Sequence, residues 1–359
     1  MLIITTMIFG LSFLSLYVLR ILAFRIGLLD TPSTRKLHQG AIPLVGGLSL
    51  YVCLLVYLLL LSHSMDATAV VYLISISVLT FIGALDDKFD VSYKLRFFIQ
   101  IALAVVMISS VDVALVYIGD IFALGDVELG IFGYPLTILA VVGAINAFNM
   151  VDGIDGLLGG ISVVTFGALG YLFMNAGITE LAAICLVIIT SLIPYILMNL
   201  GIIGKQRKVF MGDAGSMLIG FTVVWLLIKA SQPGFEPVMR PVTALWIIAL
   251  PLMDMAAIMI RRIKRGDSPF KPDREHLHHI CQRAGLNPFQ TLLAICTVAA
   301  SMVGFGIIGE NMAIPEWIMF GLFIATFGAY YLSLAYVWRI LTFIRRLFNK
   351  EELPTQSEA

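Results

Sequence analysis

Charge is scarce in this chain. Asp, Glu, Lys and Arg together make up 13% of 359 residues, against ~25% in an ordinary soluble domain. That scarcity excludes a disordered chain and a freely soluble nucleic-acid binder. Cysteine is scarce too. Cys53, Cys185, Cys281 and Cys296 form no Cys-x-x-Cys pair, and three of them sit in apolar runs. This excludes a disulfide scaffold and reads as small buried hydrophobes. There is no G-x-x-x-x-G-K-[ST], and no G-x-G-x-x-G follows a strand pattern, so neither a P-loop ATPase nor a dinucleotide-binding enzyme is indicated. The first residues carry no basic segment and no small-residue cleavage site. They read as a retained helix, not a signal peptide.

Apolar residues are abundant: 60% of the chain, with a mean hydropathy of +0.97. At ~20 residues per span, that suffices for roughly 10–11 transmembrane helices. Eleven apolar runs lie near 2–22, 45–62, 69–86, 96–112, 132–150, 158–175, 181–200, 214–230, 242–261, 290–309 and 317–338. The expected fold is therefore an all-α polytopic membrane protein, one transmembrane domain over 1–349 with a disordered cytoplasmic tail at 350–359. Segment 113–131, mixed in polarity, is expected as a short outer-face hairpin or a re-entrant piece. Of the 23 basic residues, 21 fall at one set of connections, and only Lys229 and Arg240 fall at the other. Lys and Arg mark the cytoplasmic side, which puts the N-terminus outside and the C-terminus inside.

Four polar groups share that cytoplasmic face: Asp86-Asp87, then Asn149 with Asp152 and Asp155, then Asp213, and finally His276, His278 and His279. The topology used only Lys and Arg, so their convergence is independent of it. Each also has a plain structural explanation. Paired aspartates at a helix end are often simply solvated. Asp213, between Gly212 and Gly215, suits a helix N-cap as well as a metal or phosphate site at a helix start. Lys205, Arg207 and Lys208 suit surface anchoring as well as phosphate binding. Asp152 and Asp155 would share one helix face if the helix continued, and ionisable groups near membrane depth are costly. Gly153 and Gly156 between them suggest a broken helix or close backbone approach. The histidines have no accompanying cysteine and lack the i,i+4 spacing of a helical zinc site. A phosphate-binding role beside Arg274 is more natural.

Carboxylate and amide oxygens suit Mg²⁺ or Mn²⁺. Carboxylates interleaved with bases suit a diphosphate, and phosphoryl transfer needs charge neutralisation and positioning above all. The residues alone therefore indicate a multispanning enzyme acting with Mg²⁺ on a phosphorylated cytoplasmic substrate, with a lipid as second substrate.

The motifs RKLHQGAIPLVGG, IGALDDKFDVSYKLR, NAFNMVDGIDGL, KVFMGDAGS, PLMDM and DREHLHH, in this order, resemble the polyprenyl-phosphate N-acetylhexosamine-1-phosphate transferase family over nearly the whole chain. The His-x-His-His loop resembles the UDP-GlcNAc branch of it more than the branch using UDP-MurNAc-pentapeptide. The resemblance implies that undecaprenyl phosphate attacks the β-phosphorus of UDP-GlcNAc, giving undecaprenyl-diphospho-GlcNAc and UMP. That reaction opens a cell-surface polysaccharide pathway, such as O-antigen or enterobacterial common antigen, at the bacterial inner membrane.

The resemblance also implies roles. Asp213 and Asn149 match metal-binding positions. Asp86, Asp87 and Lys94 match catalytic ones. Asp152, Asp155, Lys208, Arg274, His276, His278 and His279 match the nucleotide-sugar region. Arg35, Lys36 and His38 are candidate lipid-phosphate contacts, with surface anchoring as the alternative. Asp254, inside the ninth run, could face the same cavity or pair with Arg261 or Arg262. No nucleic-acid partner is expected, and a homodimer is left open. The competing readings are another UDP-sugar, a nucleotide-sugar transporter and a lipid-binding scaffold. A transporter would place polar groups near the midplane and show inverted repeats. Here the carboxylates crowd one face and no repeat is visible.

Overall fold

The computed structural model describes residues 1–31, 40–62, 65–232, 237–268 and 276–336. All eleven apolar runs are helical where described. The helices are α1 (Leu2–Ile26), α2 (Gly46–Val56), α3 (Ala67–Phe89), α4 (Tyr93–Val111), α5 (Gly133–Val151), α6 (Leu157–Asn175), α7 (Thr179–Asn199), α8 (Gly212–Ser231), α9 (Pro241–Ile247), α10 (Ala249–Lys264), α11 (Leu277–Arg283), α12 (Pro288–Asn311) and α13 (Glu316–Ala335). Nine helices among the described residues are long and apolar enough to cross a membrane. The ninth expected run is not one straight helix, because α9 and α10 meet at a 77° bend. The second is the short apolar helix Gly46–Leu61, whose last turn is a π-helix.

The expected hairpin between α4 and α5 is present. Ile118 N–H donates to Val127 O at 3.1 Å and Leu129 N–H to Val116 O at 2.8 Å. Among the described residues, the other strand structure is a two-residue pair, Leu29–Asp30 with Ile42–Pro43, and an isolated bridge between Leu44 and Phe210.

The architecture turns on α8. A helix that is apolar all round belongs inside a bundle, and α8 is buried along nearly its whole length. Glycines let its neighbours approach backbone to backbone. A Cβ at Gly47 on α2 would collide with Gly215, one at Gly83 on α3 with Ala214, and one at Gly220 on α8 with Ile145 on α5. Small residues play this part in membrane bundles, where apolar burial does not itself drive helices together. The first turn of α8, which carries Asp213, is thereby pressed against the end of α3, which carries Asp86 and Asp87.

Candidate active site

Asp87 is fixed by the start of α8. Its Oδ1 accepts the Asp213 N–H at 2.8 Å and its Oδ2 the Ala214 N–H at 3.4 Å. The opening N–H groups of a helix have no partner within it, and a carboxylate there is favoured by both hydrogen bonding and the helix dipole. The cap thus comes from α3. Asp213 lies inside the first turn and is not the N-cap. Its side chain is left for other work.

That side chain meets two others. Asn149 on α5 donates to Asp213 Oδ1 at 2.7 Å and to Ser216 Oγ at 2.8 Å. Arg96 on α4 donates to Asp213 Oδ2 at 3.0 Å and pairs with Asp86. Arg96 therefore lies between two carboxylates from two helices, where positive charge is most needed. Sequence reading counted Arg96 only as a cytoplasmic anchor and favoured Lys94, which is exposed at the start of the same helix. A signal was available. Arg96 and Gln100 stand one turn apart on α4, Asn146 and Asn149 nearly one turn apart on α5, and Asn146 donates to Gln100 at 2.9 Å. Two polar stripes in apolar helices face each other.

The second aspartate motif is a turn and not a helix face: the helix does not continue, as Gly153 and Gly156 suggest. Helix α5 ends at Val151 and α6 begins at Leu157. Gly156 adopts φ 78°, a left-handed conformation that glycine takes without strain. Buried Asn199 holds the turn, accepting the Gly156 N–H and donating to Val209 O at 2.8 Å. Asp155 pairs with Lys208, whose ammonium also lies 5.4 Å from the Phe210 ring centre. Asp152 is exposed on one side and crowded by protein on the other. That partial desolvation, then the charges of Asp213, Asp155 and Asp30, pushes its carboxyl up to about 7.

The histidine loop docks on this turn. His278 is buried against Gly153, where a Cβ would strike its ring. Burial first, then His279 and His276, pulls His278 down to about 3, so this ring is neutral. His276 stacks on His278 with ring centres 5.6 Å apart, and His279 lies 4.2 Å from His278. Asp254 belongs with this loop. It takes a hydrogen bond from His276 Nδ1 at 3.1 Å. Arg35, Lys36, His38 and Arg274 lie outside the described residues, as do 350–359.

Among the described residues, no three His, Cys, Asp or Glu side chains converge as a metal cage. Mg²⁺ rarely needs one: it is commonly held by one or two carboxylates, with waters and substrate phosphates completing its shell. Asp213 with Asn149 beside it is a donor set of that kind.

A family model described as glycosyl transferase family 4 matches residues 69–231, the stretch from α3 to α8 that supplies Asp86, Asp87, Asn149 and Asp213. Proteins named undecaprenyl-phosphate alpha-N-acetylglucosaminyl 1-phosphate transferase match nearly end to end. That of Yersinia pestis is 48% identical over 342 residues, 94% of this chain and 93% of its own length. That of Escherichia coli K12 is 48% identical over 341 residues, 95% and 92%. That of Haemophilus influenzae is 48% identical over 337 residues, 94% of each. The chain belongs to glycosyl transferase family 4. The family match ends at the close of α8, so the Asp254–histidine cluster lies beyond the matched stretch but within the length shared with these relatives.

Proposed function

We propose that this family 4 glycosyl transferase moves GlcNAc-1-phosphate from UDP-GlcNAc to undecaprenyl phosphate at the cytoplasmic face of a bacterial inner membrane. The observation that carries the reading is the convergence of Asp86, Asp87, Asn149 and Asp213, with Arg96 among them, at the start of one buried helix. The names of the near-full-length relatives support the substrates, and the distribution of Lys and Arg supports the side.

A lipid phosphate monoester has a second pKa near ~6 by analogy with phosphorylated side chains. It is mostly dianionic at neutral pH and needs little base catalysis. One of its oxygens attacks the β-phosphorus of UDP-GlcNAc. A P–O bond forms there, the bond from that phosphorus to the UMP oxygen breaks, and UMP leaves with the electron pair. The protein's task is to hold two anions in line and offset their repulsion. Arg96 supplies fixed positive charge between Asp86 and Asp213. Asp87 has both carboxylate oxygens engaged by helix N–H groups, so it positions the start of α8 and does not act as nucleophile. Asp86 is the carboxylate left to orient the lipid phosphate, with exposed Lys94 as a further phosphate contact. Asp152, Asp155, Lys208 and the histidine loop with Arg274 take the nucleotide-sugar, and Arg35, Lys36 and His38 the lipid phosphate. Mg²⁺ or Mn²⁺, held by Asp213 and Asn149, would neutralise diphosphate charge when bound.

The test is purified protein with undecaprenyl phosphate, UDP-GlcNAc and Mg²⁺, scored for UMP and lipid-linked GlcNAc beside Asp213→Asn. Metal-dependent product that collapses in the variant is expected. Product from UDP-MurNAc-pentapeptide alone would move the chain to another branch of the reaction. UMP released without lipid would favour a covalent intermediate over direct attack.

A further inference from the structure

Asp254 is a buried carboxylate, in the bent α9–α10 segment, that the proposed transfer does not use. It accepts three hydrogen bonds. His276 Nδ1 donates to Oδ2 at 3.1 Å, while the Leu277 N–H at 3.2 Å and the Tyr330 hydroxyl at 2.6 Å donate to Oδ1. The donors come from the residue before α11, its first residue, and α13. One side chain thus ties the histidine helix to two others and supplies the cap that His276 does not provide with its own side chain.

We infer that Asp254 is a positioning residue: it holds the Nδ1 proton of His276 toward itself, leaving Nε2 as the ring atom that meets the UDP-sugar. A carboxylate can only accept, so the facing ring nitrogen must carry the proton. Neighbouring geometry makes the orientation matter. His276 stacks on His278 at an interplanar angle of 8°, and His278 rests on Gly153. Fixing the first ring therefore sets the whole loop against the Asp152–Asp155 turn. The part played in catalysis rests on the transfer reading above; the tautomer does not.

Asp254→Asn separates shape from proton placement. Its single oxygen is expected to stay on the side of the two Oδ1 donors, Leu277 and Tyr330. That turns the NH₂ toward His276 Nδ1, which must then accept, and the imidazole proton moves to Nε2. An analogous exchange in a serine-protease triad keeps the geometry and costs ~10⁴ in kcat through the wrong tautomer.

The chain has only five histidines, so ¹⁵N-histidine spectra of the full-length protein in detergent are tractable, with His276→Gln identifying the His276 signals. The wild type is expected to show a protonated Nδ1 at His276 and Asp254→Asn a protonated Nε2. Identical spectra would overturn the inference whether or not the protein transfers GlcNAc-1-phosphate. If the wild type transfers, Asp254→Asn should lose at least about 100-fold in kcat/KM with its Tm nearly unchanged. In a His276→Gln background the same change should cost almost nothing more, since the two residues act as a unit. Losses that multiply would overturn it, because Asp254 would then act on something other than His276. A wild type with the expected spectrum but no UMP would defeat the transfer reading and leave the tautomer assignment standing.

Discussion

The carboxylate of Asp87 leaves no room for a side chain at position 212. Gly212 has φ 73°, and a Cβ there would lie inside contact distance of Asp87 Oδ2. Gly212→Ala combines backbone strain with a clash. Strain of that kind costs about 1–3 kcal/mol, so a lower Tm is expected, along with loss of transfer at temperatures where the variant remains folded. Asp152 gives a second residue-scale expectation. Its carboxyl is raised from 3.8 to about 7, so between those values the native protein holds a proton that the unfolded chain has released. Stability from this group is full below the lower value, falls as pH rises through the window, and levels off above about 7. Asp152→Asn should flatten that part of the Tm-against-pH curve; an unchanged slope would assign it to other groups. The aspartates were visible in the sequence as isolated charges among apolar residues. Arg96 was not singled out, because one cation near a helix end looks like any other anchor until its partners are known.

At the scale of elements, the site exists because α2 and α3 reach the backbone of α8. Gly83→Val should push α3 from Ala214 and carry Asp86 and Asp87 away from Asp213. Overpacking of this sort costs about 1–3 kcal/mol, but activity should fall far more than stability. Gly167 on α6 is the control. A Cβ there meets nothing within 4 Å, and Gly167→Ala should raise stability by about 0.5–1 kcal/mol with activity unchanged. Equal losses at both positions would deny α8 its special part. The other end of the bundle is fastened differently. Arg240, just before α9, pairs with Glu310 at 3.3 Å and donates to Gly309 O at 2.9 Å and Ile314 O at 2.6 Å, at and beyond the end of α12. Lys229 is buried. Of the two basic residues assigned to the outer face, one is thus buried and the other half-buried in an ion pair, which sharpens the charge asymmetry of the exposed connections.

For the molecule as a whole, that asymmetry predicts a sidedness. In a background lacking the four native cysteines, Asp126→Cys in the hairpin should react with a membrane-impermeant thiol reagent in intact cells. Lys264→Cys at the end of α10 should react only after lysis. The reverse pattern would turn the protein over and place the site outside. Both positions are exposed, so burial would not explain a missing signal.

The residues alone established that the chain is a helical membrane protein, where its apolar runs lie, and which acidic and histidine clusters stand out among them as candidates for its chemistry. These are local properties: a run of ~20 apolar residues must be helical in lipid, where each backbone group needs a partner inside its own segment. Tertiary structure alone decided which carboxylate caps α8, that Arg96 stands between Asp86 and Asp213, that α5 stops before Asp152, and that Asp254 belongs to the histidine loop. Each of these joins residues far apart in the chain, Asp87 to Asp213 and Asp254 to Tyr330 among them. Hydropathy marks that a helix is buried; only packing says what it is buried against.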